Sequence, residues 1–142
     1  MEGIKNVRKR GFTLIEIMLV VIIIGALASM VFPRLVGKSD DTRRSAALVD
    51  VTVNIATALK LYVLDNGVFP TGEQGLAALI SKPSISPVPD NWNGPYLDHK
   101  AIDPWGRPYV YKSPGEHRPD YDLFSLGGDG KEKTKDDVAN WD

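Results

Sequence analysis

The sequence predicts an α+β chain: a long N-terminal α-helix, transmembrane and then amphipathic, packed on a small antiparallel β-sheet. Three observations carry that prediction. From Phe12 to Phe32 the chain is almost wholly apolar. Leu48, Val51, Ile55, Leu59 and Tyr62 then recur every three or four residues, the period of a helix with one buried face. Beyond Asn66-Gly67 that period stops, and "DPWGRPYVY" and "YDLFSL" read as short strands joined by "SPGEHRPD".

The first element is set by length. The apolar run is roughly 20 residues, about 30 Å as a helix, which matches the hydrocarbon thickness of a bilayer. It follows Lys5, Arg8, Lys9 and Arg10, so residues 1–11 carry a net +3 against Glu2. The positive-inside rule places that basic flank in the cytoplasm. A secretory signal peptide fits less well, because the run is too long and no small-x-small cleavage site follows it. Glu16, one turn inside the run, is out of place: a charge near the middle of a span costs about 2.5–3.5 kcal/mol even on the lenient insertion scale.

Pro33 removes one backbone hydrogen bond and predicts a kink, while Gly25 and Gly37 add flexible points. After the polar "GKSDDTRRSAA" the amphipathic half begins, with Asp50, Asn54 and Thr57 on the side away from the apolar series. Asn66-Gly67 is its stop. Thr71-x-x-Gln74 is a capping-box pattern that opens a short helix over Leu76, Leu79 and Ile80. "KPSISPVPD" is too proline-rich for regular structure, and Trp92, Pro95 and Tyr96 are placed to pin this loop to the core. A strand over Arg107 to Lys112 and its partner over Tyr121 to Leu126 complete the sheet. The chain thus divides into a basic leader at 1–11, a membrane half-helix at 12–33, an amphipathic half at 34–66 and a globular region at 67–142.

Composition narrows the class. The formal net charge is −1 over 142 residues, so everything beyond the basic leader carries −4. A mildly acidic body disfavours nucleic acid as partner, because phosphate binding requires a basic face. There is no cysteine, which removes disulfides and thiolate metal sites. His99 and His117 have no partner at zinc-ligand spacing. Gly130-Lys131 and Gly37-Lys38 lack the upstream glycine of a P-loop, with Ser125 and Phe32 in its place, and no nucleophile elbow is present. With no catalytic motif in evidence, the sequence is read as that of a non-enzyme.

"GFTLIEIMLVVIIIGALASMVFP" closely resembles the type IV filament superfamily of pilins and pseudopilins. "VFPTGEQGLAALISKP", "GPYL", "DPWGRPYVY", "SPGEH" and "DLFSLGGDG" narrow the resemblance to the major pseudopilins (G subunits) of type II secretion, over nearly all of residues 8–142. The resemblance implies a pilin-like lollipop. It implies cleavage between Gly11 and Phe12 by a prepilin peptidase, N-methylation of Phe12, and an assembly role for Glu16. Cleavage creates an ammonium one turn before the carboxylate, and Glu16 would neutralise the Phe12 amine of a neighbouring subunit in the filament core. A shifted neighbour would leave two charges unpaired, so the pair would set register.

The remaining expectations also follow from the family. The subunit would sit in the bacterial inner membrane as a single-pass protein with its globular region in the periplasm. It would form a homopolymeric pseudopilus, together with minor pseudopilins, an assembly platform with its ATPase, and an outer-membrane secretin through which folded proteins leave. The nearest alternative is a type IV pilin of a surface filament for adhesion, motility or DNA uptake. Type IVa pilins usually staple the C-terminal region with a disulfide, which this chain cannot form.

"GGDGKEKTKDDVANWD" closes the sequence. Asp129, Asp136 and Asp137 lie close together among glycines that allow a tight turn, and calcium accepts six to eight oxygens in irregular geometry. The residues alone allow either a solvated acidic tail or a cation site, and the EF-hand spacing is absent. The resemblance implies Ca2+ here, with Asp129, Asp136 and Asp137 as side-chain ligands and Leu126, Lys131 and Thr134 contributing largely backbone oxygens. It also implies a salt bridge between Lys60 and Asp98, with the signs reversed from some relatives, within or between subunits.

Overall fold

The computed structural model describes the backbone of residues 11–142 and the side chains of 11–30 and 39–142. The leader expected at 1–11 therefore lies, apart from Gly11, outside the described residues. The chain divides into two compact units, Met1–Lys38 and Ser39–Asp142.

In the first unit, Gly11, Phe12 and Thr13 are irregular and helix α1 begins at Leu14, running to Val49 in the second unit. Thr13 caps it: its hydroxyl accepts the Glu16 N–H at 3.3 Å and its carbonyl accepts the same N–H at 3.1 Å. The helix passes through Pro33 without ending there.

In the second unit, α1 is followed without interruption by a π-helical turn, Asp50–Asn54, and by α2, Ile55–Asn66. The buried series is Ala47, Val51, Ile55, Leu59 and Tyr62. Steps of four residues drift around an ordinary α-helix, and the wider π turn takes up that drift. This corrects the expected series at one place, since Leu48 is exposed and Ala47 is the buried residue. Asp50 is also not on a free polar face, because its Oδ2 accepts a 2.8 Å hydrogen bond from the Tyr109 hydroxyl. Burial first, and then this carboxylate, push the Tyr109 hydroxyl pKa far up. α2 stops at Gly67, whose φ of 81° is left-handed and whose N–H returns to the Val63 carbonyl.

Thr71 and Gln74 form the reciprocal capping box: Thr71 N–H donates to Gln74 Oε1 at 3.0 Å and Gln74 N–H to Thr71 Oγ1 at 3.2 Å. They open a 3₁₀ turn, Gly75–Leu79, instead of an α-helix. The Gln74 amide is spent on the carbonyls of Ile85 and Pro87, which fastens the proline-rich loop. Trp92 donates to the Ala78 carbonyl at 2.8 Å and Tyr96 to Asp65 at 2.7 Å, pinning the loop as expected.

The sheet has three antiparallel strands in sequence order: β1 Val110–Lys112, β2 Asp122–Ser125 and β3 Val138–Ala139. Register pairs Tyr111 with Leu123 and Phe124 with Ala139. β1 is shorter than the expected strand from Arg107, for two reasons: Pro108 has no N–H, and the Arg107 N–H is already given to Asp103. All four residues of β2 are buried. The core gathers Val51, Ile55, Leu59 and Tyr62 against Leu79, Tyr109, Leu123 and Val138.

Candidate functional site

The apolar stretch Leu14–Met30 exposes its side chains all round: Leu14, Ile17, Val21, Ile24 and Leu27 are each about half exposed or more. Its 17 residues span about 25 Å as a helix. Among the described residues nothing in this unit buries them. Ser39–Asn66 is, among the described residues, the one helix long and apolar enough to cross a membrane, but its buried face packs into the core beside the sheet, while Leu14–Met30 is shorter. Gly11 and Phe12 are both exposed in irregular chain. Glu16 is in the first turn of α1, where the helix dipole favours an acid, and Thr13-x-x-Glu16 supplies a local cap. Cap and dipole explain a carboxylate at this turn. They do not explain one exposed on an apolar surface.

The C-terminal loop runs from β2 to β3, and the third strand, unforeseen from the sequence, makes it a closed connection instead of a free tail. Its oxygens converge on Thr134. The Thr134 Oγ1 lies 2.6 Å from Asp136 Oδ1, 3.3 Å from Asp129 Oδ1, 3.3 Å from Asp137 Oδ1 and 3.2 Å from the Lys131 carbonyl. A hydroxyl has one proton to give, so these acceptors outnumber the hydrogens between them. The backbone folds around the same carboxylates: Asp129 N–H donates to Asp136 Oδ2 at 2.8 Å, Lys131 N–H to Asp129 Oδ1 at 2.8 Å and Lys133 N–H to Asp137 Oδ2 at 2.7 Å. The Thr134 hydroxyl and the Asp129 N–H hold the Asp136 carboxyl below the usual carboxylate range. Among the described residues no three acidic or imidazole side chains are drawn into ligating geometry, and here the Thr134 hydroxyl stands between them.

In the chemistry of its donors, though not in their arrangement, the set suits a cation. It offers oxygen alone, mixes carboxylate, hydroxyl and carbonyl, and has more lone pairs than hydrogens, which is what a hard ion such as calcium requires. Of the expected ligands, Asp129, Lys131, Thr134, Asp136 and Asp137 are brought together. Leu126, half-buried just beyond β2, stands outside these contacts.

Sequence reasoning missed the groups that tie this loop down. Lys112 of β1 pairs with Glu132 at 2.8 Å, and Arg107 donates to the Gly127 and Gly128 carbonyls. The spacing in "DPWGRP" signals a turn closed by Asp103, but no local signal shows that Arg107 reaches a loop about 20 residues on. Lys60 and Asp98 are both exposed, and they are not joined by an ion pair within the chain, whose described pairs lie elsewhere. The within-subunit form of that expected bridge is therefore not made.

Comparison with known proteins bears on the whole chain. Residues 34–141 match the model of the family described as type II secretion system protein G, and residues 6–32 match the prokaryotic N-terminal methylation motif. The type II secretion system core protein G of Pseudomonas aeruginosa is 48% identical, over 95% of this chain and 96% of its own. The core protein G of Vibrio cholerae is 45% identical, over 96% and 95% respectively. The crystal structure of the major pseudopilin from the type 2 secretion system of enterohaemorrhagic Escherichia coli superimposes with a TM-score of 0.69 at 42% identity, covering 75% of this chain and 89% of that one. These similarities favour the secretion subunit over a surface pilin. Leader motif, capped apolar helix, three-stranded sheet and relatedness over nearly its full length together place this chain in the type II secretion system protein G family, the major pseudopilins.

Proposed function

We propose that this major pseudopilin is a non-catalytic filament subunit, anchored in the bacterial inner membrane by residues 12–33 with its globular region in the periplasm. A prepilin peptidase cleaves Gly11–Phe12 and methylates the Phe12 amine. The mature chains polymerise, with minor pseudopilins and an assembly platform driven by its ATPase, into a pseudopilus that moves folded proteins toward the outer-membrane secretin. The observation that carries this reading is Glu16, a single carboxylate in the first turn of an otherwise apolar, exposed helical surface. In lipid it has no partner. In a filament the Phe12 ammonium of a neighbour supplies one, and the cost of burying both charges makes any other register unfavourable.

Calcium belongs to the same reading. Asp129, Asp136 and Asp137, with Thr134 and the Lys131 carbonyl, would hold it, and the ion would supply the positive charge that lets three carboxylates share one loop. It would stand in for the disulfide that a chain without cysteine cannot make.

The test is export of a reporter exoprotein in a strain lacking its own major pseudopilin. The wild-type chain should restore export and give crosslinked ladders. Glu16→Ala should reach the membrane in normal amount and give neither. Ladders at wild-type level in that variant would show that the carboxylate has no part in assembly.

A further inference from the structure

Arg107 lies outside the group of oxygen donors, yet it touches the loop's backbone twice. Its Nη1 donates to the Gly127 carbonyl at 2.5 Å and its Nη2 to the Gly128 carbonyl at 3.1 Å. A planar guanidinium can make two such bonds at once because its donors form a rigid fork, which a lysine ammonium lacks. The turn that presents Arg107 is itself fixed. Asp103, buried, accepts the N–H groups of Trp105 at 3.0 Å and Arg107 at 2.8 Å on Oδ1, and the Ser125 hydroxyl at 2.6 Å on Oδ2. Ser125 Oγ in turn accepts the Gly127 N–H at 3.1 Å. One buried carboxylate thus joins the turn at 103–107 to the point where β2 gives way to the acidic loop.

The fit on the loop side is close. Gly130 has a φ of 68°, and a Cβ built there would lie 2.8 Å from the Arg107 Cζ. The Trp105 indole N–H, buried and without a hydrogen-bond partner among the described residues, lies against Gly128. None of these contacts engages a carboxylate of Asp129, Asp136 or Asp137.

We infer that Arg107 is a positioning residue for the acidic loop, holding the turn at 127–130 in shape before any cation arrives. Because it binds carbonyls, it takes up none of the carboxylate oxygens. The consequence for affinity rests on the calcium reading above. The positioning of the loop does not.

The experiment is hydrogen–deuterium exchange on the full chain in detergent micelles, with a calcium chelator present, followed by calcium titration of the same samples. Arg107→Lys keeps the charge and loses the fork; Arg107→Gln keeps an amide donor and loses the charge, and both leave Gly130, whose φ of 68° strains any side chain, unchanged. In both, peptides covering 127–137 should exchange about tenfold faster, with peptides from α2 and β1 unchanged. Calcium affinity should fall about tenfold in Arg107→Lys while the melting temperature in chelator stays at the wild-type value. Should Arg107→Lys also loosen α2 and β1, Arg107→Gln decides. Wild-type exchange in the loop of the deciding variant would overturn the inference. A wild-type chain that takes up no calcium would sink the calcium reading alone, since the exchange result still judges Arg107.

Discussion

Asp122 is 1% exposed, yet it is the most heavily engaged carboxylate in the sheet. Its oxygens accept the backbone N–H groups of Glu116 at 2.8 Å, His117 at 2.9 Å and Arg118 at 3.0 Å, and His117 Nδ1 lies 2.9 Å away. It thereby closes the connection between β1 and β2, and Trp141, stacked on His117 at 4.0 Å, roofs it. Burial pushes its carboxyl up, but the hydrogen bonds from His117, Arg118 and Glu116 together outweigh burial and bring the pKa to about 2. The folded value lies below the unfolded one, so the stabilisation is fully present above about pH 4 and is lost as pH falls toward 2. Urea melts of wild type and Asp122→Asn should therefore differ clearly at pH 5 and converge near pH 2. A gap that stays constant over that range would show that the ionised form gives no special stability. The sequence did not announce this residue. β2 is buried on both faces, so no alternation of polar and apolar residues marks the aspartate in "YDLFSL".

At the scale of elements, the first helix, the capping box and the hairpin were legible because each has a local cause: apolar length, Thr71 with Gln74, and turn-rich residues between two apolar runs. The π turn was not, since Asp50–Asn54 has no composition of its own and shows only as a shift from Leu48 to Ala47 in the buried series. β3 escaped because two residues cannot display a period, and its pairing with Phe124 and Ser125 is settled by the loop that delivers it. The candidate cation site was half legible. The acidic residues were plain in the sequence, while the clamps from Arg107 and Lys112 depend on tertiary contact. This loop also carries a thermodynamic prediction. An ion that binds only the folded state adds about 2.7 kcal/mol when it is a hundredfold above its Kd. The segment 37–142, which contains the compact unit Ser39–Asp142, should then melt several degrees higher in calcium than in chelator. Asp129→Ala and Asp136→Ala should each erase that difference. Identical wild-type melts in both conditions would leave the loop an acidic connection without an ion.

At the scale of the whole molecule, most of what matters is what the single chain leaves unsatisfied. Among the described residues an apolar helical surface has no cover, Glu16 has no counter-charge, and Lys60 and Asp98 carry opposite charges without meeting. All are groups that a filament of like subunits would complete. If Lys60 of one subunit meets Asp98 of the next, Lys60→Asp and Asp98→Lys should each reduce export and the double swap should restore it; an exposed pair contributes only about 0–1 kcal/mol, and more where assembly buries it. Silence of both single changes would remove the pair from the interface. The central claim, that the chain is a processed filament subunit, has a more direct check in the intact mass of the protein extracted from membranes. The account predicts the loss of residues 1–11 and the gain of one methyl group, leaving a chain that begins at Phe12. A mass that retains Met1, or one that begins beyond Phe32, would contradict it.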